Sequence, residues 1–196
     1  RARGHFIQTM LKMSIKTPLL SAVFLLFSLP ALAAPPADAA PDRVVASSFG
    51  FDAVDAAPCL QAAIDSGAKT VVVDRRDVPW ILGKTVDLRS NVELVLEDGA
   101  EIDEHKGAFR KKDAVLLRVR QVENVAIRGL GKGAAVRMRK RDYWAEPYEK
   151  SEWRHAIAVT SSKNVRVENL TIAESGGDGI YLGVFNGEPC RDVVIR

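Results

Sequence analysis

Two short stretches hold most of the side chains that could do chemistry. One is Glu152-Trp153-Arg154-His155, and the other is Glu174-Ser175-Gly176-Gly177-Asp178, which runs on into Gly179-Ile180-Tyr181. Breaking a glycosidic bond takes two carboxylates flanking it, one as acid and one as base or nucleophile. Asp178, Glu174 and Glu152 are the carboxylates from which such a pair would come. His155 or Arg154 is a candidate base for removing a proton beside a uronate carboxylate. Tyr143, Trp144, Tyr148 and Lys150 lie just upstream. With Tyr181 they suit a face that binds sugars carrying carboxylate or sulfate groups. Each reading has a plain structural counterpart. Asp178 could be a turn aspartate bonding backbone amides. The stretch around Tyr143 could be a loop pinned by buried rings, with its charges solvated.

The elements that position these residues repeat. Val92 to Ile102, Val125 to Leu130 and Val165 to Ile172 each begin just after an asparagine: Asn91, Asn124 and Asn164. Each alternates apolar and polar residues, as a strand with one buried face must. Each is broken by residues tolerant of left-handed backbone angles, Asp98-Gly99, Gly129 and Asn169. A further strand type covers Ala114 to Val119, Ala156 to Thr160 and Gly179 to Leu182. Ile157 and Ile180 are equivalent by pattern and 23 residues apart, a length that fits one coil of a solenoid. Leu116 to Ile157 is longer, and the excess is the polar stretch Arg139 to Arg154. A solenoid accommodates such excess in a loop on one face. A β-sandwich also has many short strands, but its hairpins need two-residue turns between antiparallel partners. Ahead of the repeats, Ala53 to Ser66 reads as a helix, with Val54, Leu60, Ala63 and Ile64 on one face and Gly67 as its stop. The predicted fold is an all-β solenoid: a right-handed single-stranded parallel β-helix with an N-terminal α-helical cap.

The order Phe49-Gly-Phe-Asp52, helix, Lys69-Thr-Val-Val-Val, then Asn91-Val-Glu-Leu-Val-Leu-Glu-Asp-Gly-Ala100 resembles the start of pectate-lyase-superfamily and polygalacturonase-like β-helix proteins. One departure is visible, because Asp74-Arg-Arg-Asp-Val-Pro-Trp80 stands where a Pro-x-Gly turn is usual. The resemblance implies three strands per coil and a substrate groove along the first sheet, walled by loops. It also implies catalytic aspartates on neighbouring coils at places comparable to Asp178. Calcium holds the uronate in several such lyases, but Glu174 and Asp178 supply two carboxylates at most from one turn. No cofactor is expected, apart from that opening for calcium. The function so implied is a lyase, glycosidase or epimerase acting on an acidic polysaccharide. The competing function is a non-catalytic glycan-binding or adhesin β-helix.

Spacing makes one sharper prediction. His155 and Asp178 precede equivalent strands, so they should be neighbours on successive coils at the strand spacing of about 4.8 Å. An imidazole beside a carboxylate should have its pKa raised.

The remaining features bound where the chain works. Residues 1–9 read as an upstream extension. Residues 10–33 read as a signal peptide, with the apolar run Leu19 to Leu29 and cleavage after Ala33. Residues 34–43 read as a flexible lead-in. Residues 44–196 read as the cap and first coils, expected to stop before the solenoid is complete. Secretion to the periplasm, cell surface or medium follows, with no membrane insertion after cleavage. The chain has 28 basic and 25 acidic residues, and four of the basic ones, Arg1, Arg3, Lys12 and Lys16, lie before the expected cleavage point. The rest is balanced, which excludes a nucleic-acid footprint. Gly129-Leu-Gly131-Lys-Gly133 lacks the strand-to-helix context of a phosphate loop. Cys59 and Cys190 are the sole cysteines. In this register they lie several coils apart, beyond the Cα separation a disulfide allows.

Overall fold

The computed structural model describes residues 41–196. The expected signal peptide and extension lie outside the described residues. Strand β1 (Arg43–Val45) begins the fold, at the last residue of the expected lead-in, and helix α1 (Ala57–Asp65) follows. A first coil then contains β2 (Thr70–Val73), β3 (Trp80–Leu82) and β4 (Val86–Leu88). The second holds β5 (Val92–Leu96), β6 (Glu101–Glu104) and β7 (Val115–Arg120). The third holds β8 (Glu123–Gly129), β9 (Ala135–Arg137) and β10 (His155–Thr160). The fourth holds β11 (Lys163–Glu168), β12 (Thr171–Ala173) and β13 (Ile180–Gly183), and β14 (Arg191–Ile195) continues the winding.

Equivalent strands stack into three sheets, ordered β1-β2-β5-β8-β11-β14, β4-β7-β10-β13 and β3-β6-β9-β12. Every strand pair is parallel, so the chain is a right-handed parallel β-helix and not a sandwich. Ile157 pairs with Ile180 as the 23-residue step requires. On the other side Ile157 pairs with Leu117, one residue from the expected Leu116. Leu117 points into the core and Leu116 outward, since side chains alternate along a strand. The core is a column of aliphatic side chains such as Leu94, Ile127, Val165 and Leu117, Ile157. Burying each Leu or Ile contributes roughly 2 kcal/mol relative to exposure.

The asparagines at the starts of these strands, Asn91 just before β5 and Asn124 and Asn164 as the second residues of β8 and β11, do more than mark turns. Asn91, Asn124 and Asn164 have φ of 58°, 57° and 51°, and Asp192 continues the series at 54°. Their side chains form a ladder, with Asn124 Nδ2 donating to Asn91 Oδ1 and Asn164 Nδ2 to Asn124 Oδ1, both at 2.8 Å. Gly129, expected in a left-handed turn, instead ends strand β8. It is glycine because a Cβ there would collide with the Asn169 carbonyl and lie 2.6 Å from Ala134 Cβ.

Helix α1 closes the bottom of the solenoid by satisfying its open edge. Gln61 Nε2 donates to Asp87 O at 3.1 Å, and Asp87 N–H donates back to Gln61 Oε1 at 2.9 Å. Ala56 N–H donates to Ile81 O at 2.7 Å, and Gly83 N–H donates to Asp55 Oδ1 at 2.8 Å. These bonds occupy strand groups that a bare edge would expose. The helix is shorter than expected. Asp55 also accepts from Ala57 N–H and Pro58 follows, so the helix starts at Ala57 and leaves Val54 exposed. The departing turn at Asp74 is closed by Trp80, whose indole N–H donates to Asp74 O at 2.9 Å. Cys59 and Cys190 are both free thiols.

Candidate functional site

The long insertion between β9 and β10 folds back onto the loop between β6 and β7, where Glu149 N–H donates to Arg110 O at 2.9 Å and Ser151 Oγ donates to Lys112 O at 2.5 Å. The insertion and the turn before β13 line a cleft of about 880 Å³. Of the side chains singled out in the sequence, Trp144, Lys150, Glu152, His155, Asp178, Tyr181 and one edge of Tyr143 line it. Lys140 and Trp153 line it as well. Trp144 and Trp153 are 80% and 58% exposed, so their rings are available to a ligand.

His155 and Asp178 are neighbours, as their spacing required. Ala156 N–H donates to Asp178 O at 3.3 Å. The two side chains approach at His155 Nδ1 to Asp178 Oδ2, 3.7 Å. The closer contact is with the backbone: Asp178 N–H donates to His155 Nδ1 at 3.0 Å. Nδ1 is therefore an acceptor and the imidazole carries its proton on Nε2. The ring is 3% exposed and stacks on Tyr181 at 4.5 Å and 4°. Burial lowers its pKa, and the nearby Asp178 carboxylate only partly offsets this. The expected rise is thus corrected: withdrawal from water outweighs the neighbouring charge. His155 fixes the Asp178 turn and the Tyr181 ring more than it offers a free base to solvent.

Tyr181 connects the two sides of this arrangement. Trp153 meets its ring edge-on at 5.8 Å. The ring leans along β13 over Gly183, where a Cβ would lie 2.6 Å from Tyr181 Cζ. The glycines before Asp178 were expected to admit a ligand close to backbone. They admit the insertion instead. A Cβ on Gly176 would lie 2.5 Å from the Tyr143 ring, and one on Gly177 would strike the Glu152 carbonyl and lie 2.9 Å from His155 Nδ1.

Three sequence candidates are placed elsewhere. Arg154 is completely buried. It donates to the carbonyls of Glu149 at 2.7 Å, Arg110 at 3.1 Å and Lys111 at 3.3 Å, and its guanidinium lies 4.4 Å from the Tyr143 ring centre. A guanidinium so enclosed holds two loops together and is not a base facing the cleft. Tyr148 is buried, with its hydroxyl accepting from Gly107 N–H at 2.6 Å. Glu174 is exposed and outside the cleft lining, at a φ of 59° where Lys140 N–H donates to its carbonyl. Among the described residues no group of three His, Cys, Asp or Glu is arranged to hold a metal.

One buried acid escaped the sequence reading. Glu104 is 1% exposed, beneath the insertion, and Tyr143 Oη donates to its Oε2. Burial pushes its pKa up to about 7, against the lowering effect of the Tyr143 bond. The alternation in β6, with Ile102 and Glu104 inward, is the signal that marks it.

No family model and no curated protein matches the chain. Solved structures do share its fold. A proposed glycosyl hydrolase from Parabacteroides merdae superposes with a TM-score of 0.55 at 15% identity, covering 79% of this chain and 74% of that one. A 1,3-α-1,4-β-D-galactose-4-sulfate-3,6-anhydro-D-galactose-2-sulfate 4-galactohydrolase gives 0.57 at 18% identity, covering 78% and 37%. An iota-carrageenase complexed to iota-carrageenan fragments gives 0.55 at 18%, covering 78% and 35%. The chain thus spans little more than a third of the two larger proteins. At these identities the likeness is one of fold: the chain shares the parallel β-helix of these proteins.

Proposed function

We propose that the chain builds the substrate cleft of a secreted enzyme that cleaves an acidic polysaccharide. The observation that carries this reading is the composition of the cleft. Exposed Trp144 and Trp153 and the fixed ring of Tyr181 offer apolar faces for sugar rings. Lys140 and Lys150 offer cations for acidic substituents. Asp178 and Glu152 are carboxylates at the same cleft. In the reaction Asp178 is the acid or base, held by the His155 contact to its backbone N–H, and Glu152 is the second carboxylate. Hydrolysis is preferred over lyase or epimerase chemistry on two grounds. Of the similar structures, one is a proposed glycosyl hydrolase and one a galactohydrolase named for sulfated galactose units, and the third is an iota-carrageenase holding fragments of its polysaccharide. His155 is buried and engaged and Arg154 is sequestered, so the two side chains singled out as proton-abstracting bases do not face the cleft as free bases.

The test is a panel of sulfated galactans, polyuronates and neutral glucans incubated with the protein. Release of reducing ends from an acidic member, without the ultraviolet absorbance of an unsaturated uronate, is the expected result. Unsaturated products would replace hydrolysis with elimination. Tight binding without turnover would favour the non-catalytic glycan-binding reading.

A further inference from the structure

The register of the β4-β7-β10-β13 sheet places a second recognition element at the C-terminal ends of its strands, away from the ends that the insertion leads into. Side chains alternate along a strand, so Leu117, Val119, Ile157 and Val159 inward imply Arg118, Arg120, Ala158 and Thr160 outward. Across the strands this gives two outward rows: Asp87, Arg118, Ala158, Tyr181, and then Arg120, Thr160, Gly183. The first row neutralises itself. Arg118 makes a two-pronged pair with Asp87 at 2.5 and 2.7 Å.

Arg120 differs. It is exposed and forms no ion pair among the described residues. Its guanidinium instead lies 4.3 Å from the centre of the Phe185 ring. Phe185 is held in a tight loop after β13, bridged to Glu188, with its N–H donating to Ser161 Oγ at 2.6 Å. The ring holds the cation flat and costs it none of its charge. Between Arg120 and Gly183 sits Thr160, 7% exposed, whose Oγ1 has no hydrogen-bond partner among the described residues. The Tyr181 ring leans over Gly183, two strand spacings or roughly 10 Å from the Arg120 backbone, a gap an arginine side chain largely spans. The outward row that begins at Arg120 therefore runs directly beside the row that ends at Tyr181.

We propose that Arg120, stacked on Phe185, binds a single anionic substituent, a sulfate ester or a carboxylate, on a glycan lying over Tyr181. This rests on the polysaccharide reading above and adds the C-terminal ends of these strands as the place where charge on the substrate is read. A planar fork of donors suits either oxyanion.

The experiment measures binding to the protein by calorimetry for a sulfated galactan and a polygalacturonate, each against its desulfated or methyl-esterified counterpart, at two salt concentrations. Arg120→Gln should weaken the charged partner that binds by roughly tenfold to a hundredfold and leave its neutral counterpart unchanged. Its salt dependence should also be shallower than wild type. Phe185→Leu keeps the cation but frees it, so a smaller loss confined to the charged ligand is expected. Arg120→Lys should recover part of the affinity. Whichever charged glycan shows the loss identifies the oxyanion. Equal weakening of charged and neutral glycans, or none, with wild-type binding intact, would overturn the Arg120 assignment alone. If wild type binds no member of the panel, the polysaccharide reading itself fails.

Discussion

Two clusters of polar and aromatic side chains are built around the insertion between β9 and β10, and they face opposite ways. Glu104, Tyr143, Tyr148 and Arg154 are buried and bonded to one another or to backbone groups. Trp144, Lys150, Glu152 and Trp153 are open to the cleft, with Asp178 and Tyr181 beneath them. Within residues 143–154 the two sets are interleaved in sequence, and each mixes aromatic with charged side chains. What separates them is burial, and burial reverses their meaning. A guanidinium in water is a handle for a ligand, whereas one enclosed among carbonyls is a clamp whose loss strands its partners.

The largest effect should come from the clamp. Arg154→Ala leaves the carbonyls of Arg110, Lys111 and Glu149 without their donor and opens a void against Tyr143. A loss of roughly 3–5 kcal/mol in denaturant unfolding is expected. A loss below about 1 kcal/mol would mean the insertion is not anchored there.

Glu104 should make stability depend on pH. Its folded pKa of about 7 exceeds the ordinary 4.5. Below about 4.5 it is protonated both folded and unfolded. As pH rises toward about 7 the unfolded chain gives up its proton and the folded one retains it, so stability falls. Above about 7 the deficit is constant, on the order of 3 kcal/mol. Glu104→Gln, which keeps an acceptor for Tyr143, should remove that slope: similar to wild type near pH 4 and more stable by about that amount near pH 8. Thermal melts across this range decide it, and an unchanged slope would place the titration elsewhere.

The exposed set should behave in the opposite sense. Trp144→Ala should change stability by less than about 0.5 kcal/mol while weakening glycan binding several-fold. Gly183→Ala should push the Tyr181 ring off its seat at little cost to the fold, because the atoms displaced belong to a side chain and not to backbone. Loss of the His155–Tyr181 stacking, read from aromatic ring-current shifts, checks this.

The fold was largely legible in the sequence because its signals are local and repeated. Apolar alternation, the asparagines at the starts of β5, β8 and β11 and the 23-residue step set the coils, and the same step placed His155 against Asp178. The sites were less legible because burial is a property of the assembled coils. Nothing in the order Trp153-Arg154-His155 says that the first ring is exposed and the next guanidinium enclosed. The shift of His155 was misjudged for the same reason: the carboxylate can be read from spacing, but desolvation cannot. Glu104 and Arg120 were accessible only through strand parity, which assigns one inward and the other outward once the register is known.

The most direct test of the division between clamp and cleft is Asp178→Asn, assayed on the acidic glycan that wild type cleaves, with a melting curve on the same sample. The side chain is exposed, and its backbone N–H, which bonds His155, is untouched by the change. The account predicts turnover down by about 10²-fold or more with the melting temperature nearly unchanged. Turnover retained alongside a large drop in melting temperature would assign Asp178 to the scaffold, and the cleft would lose its chemistry.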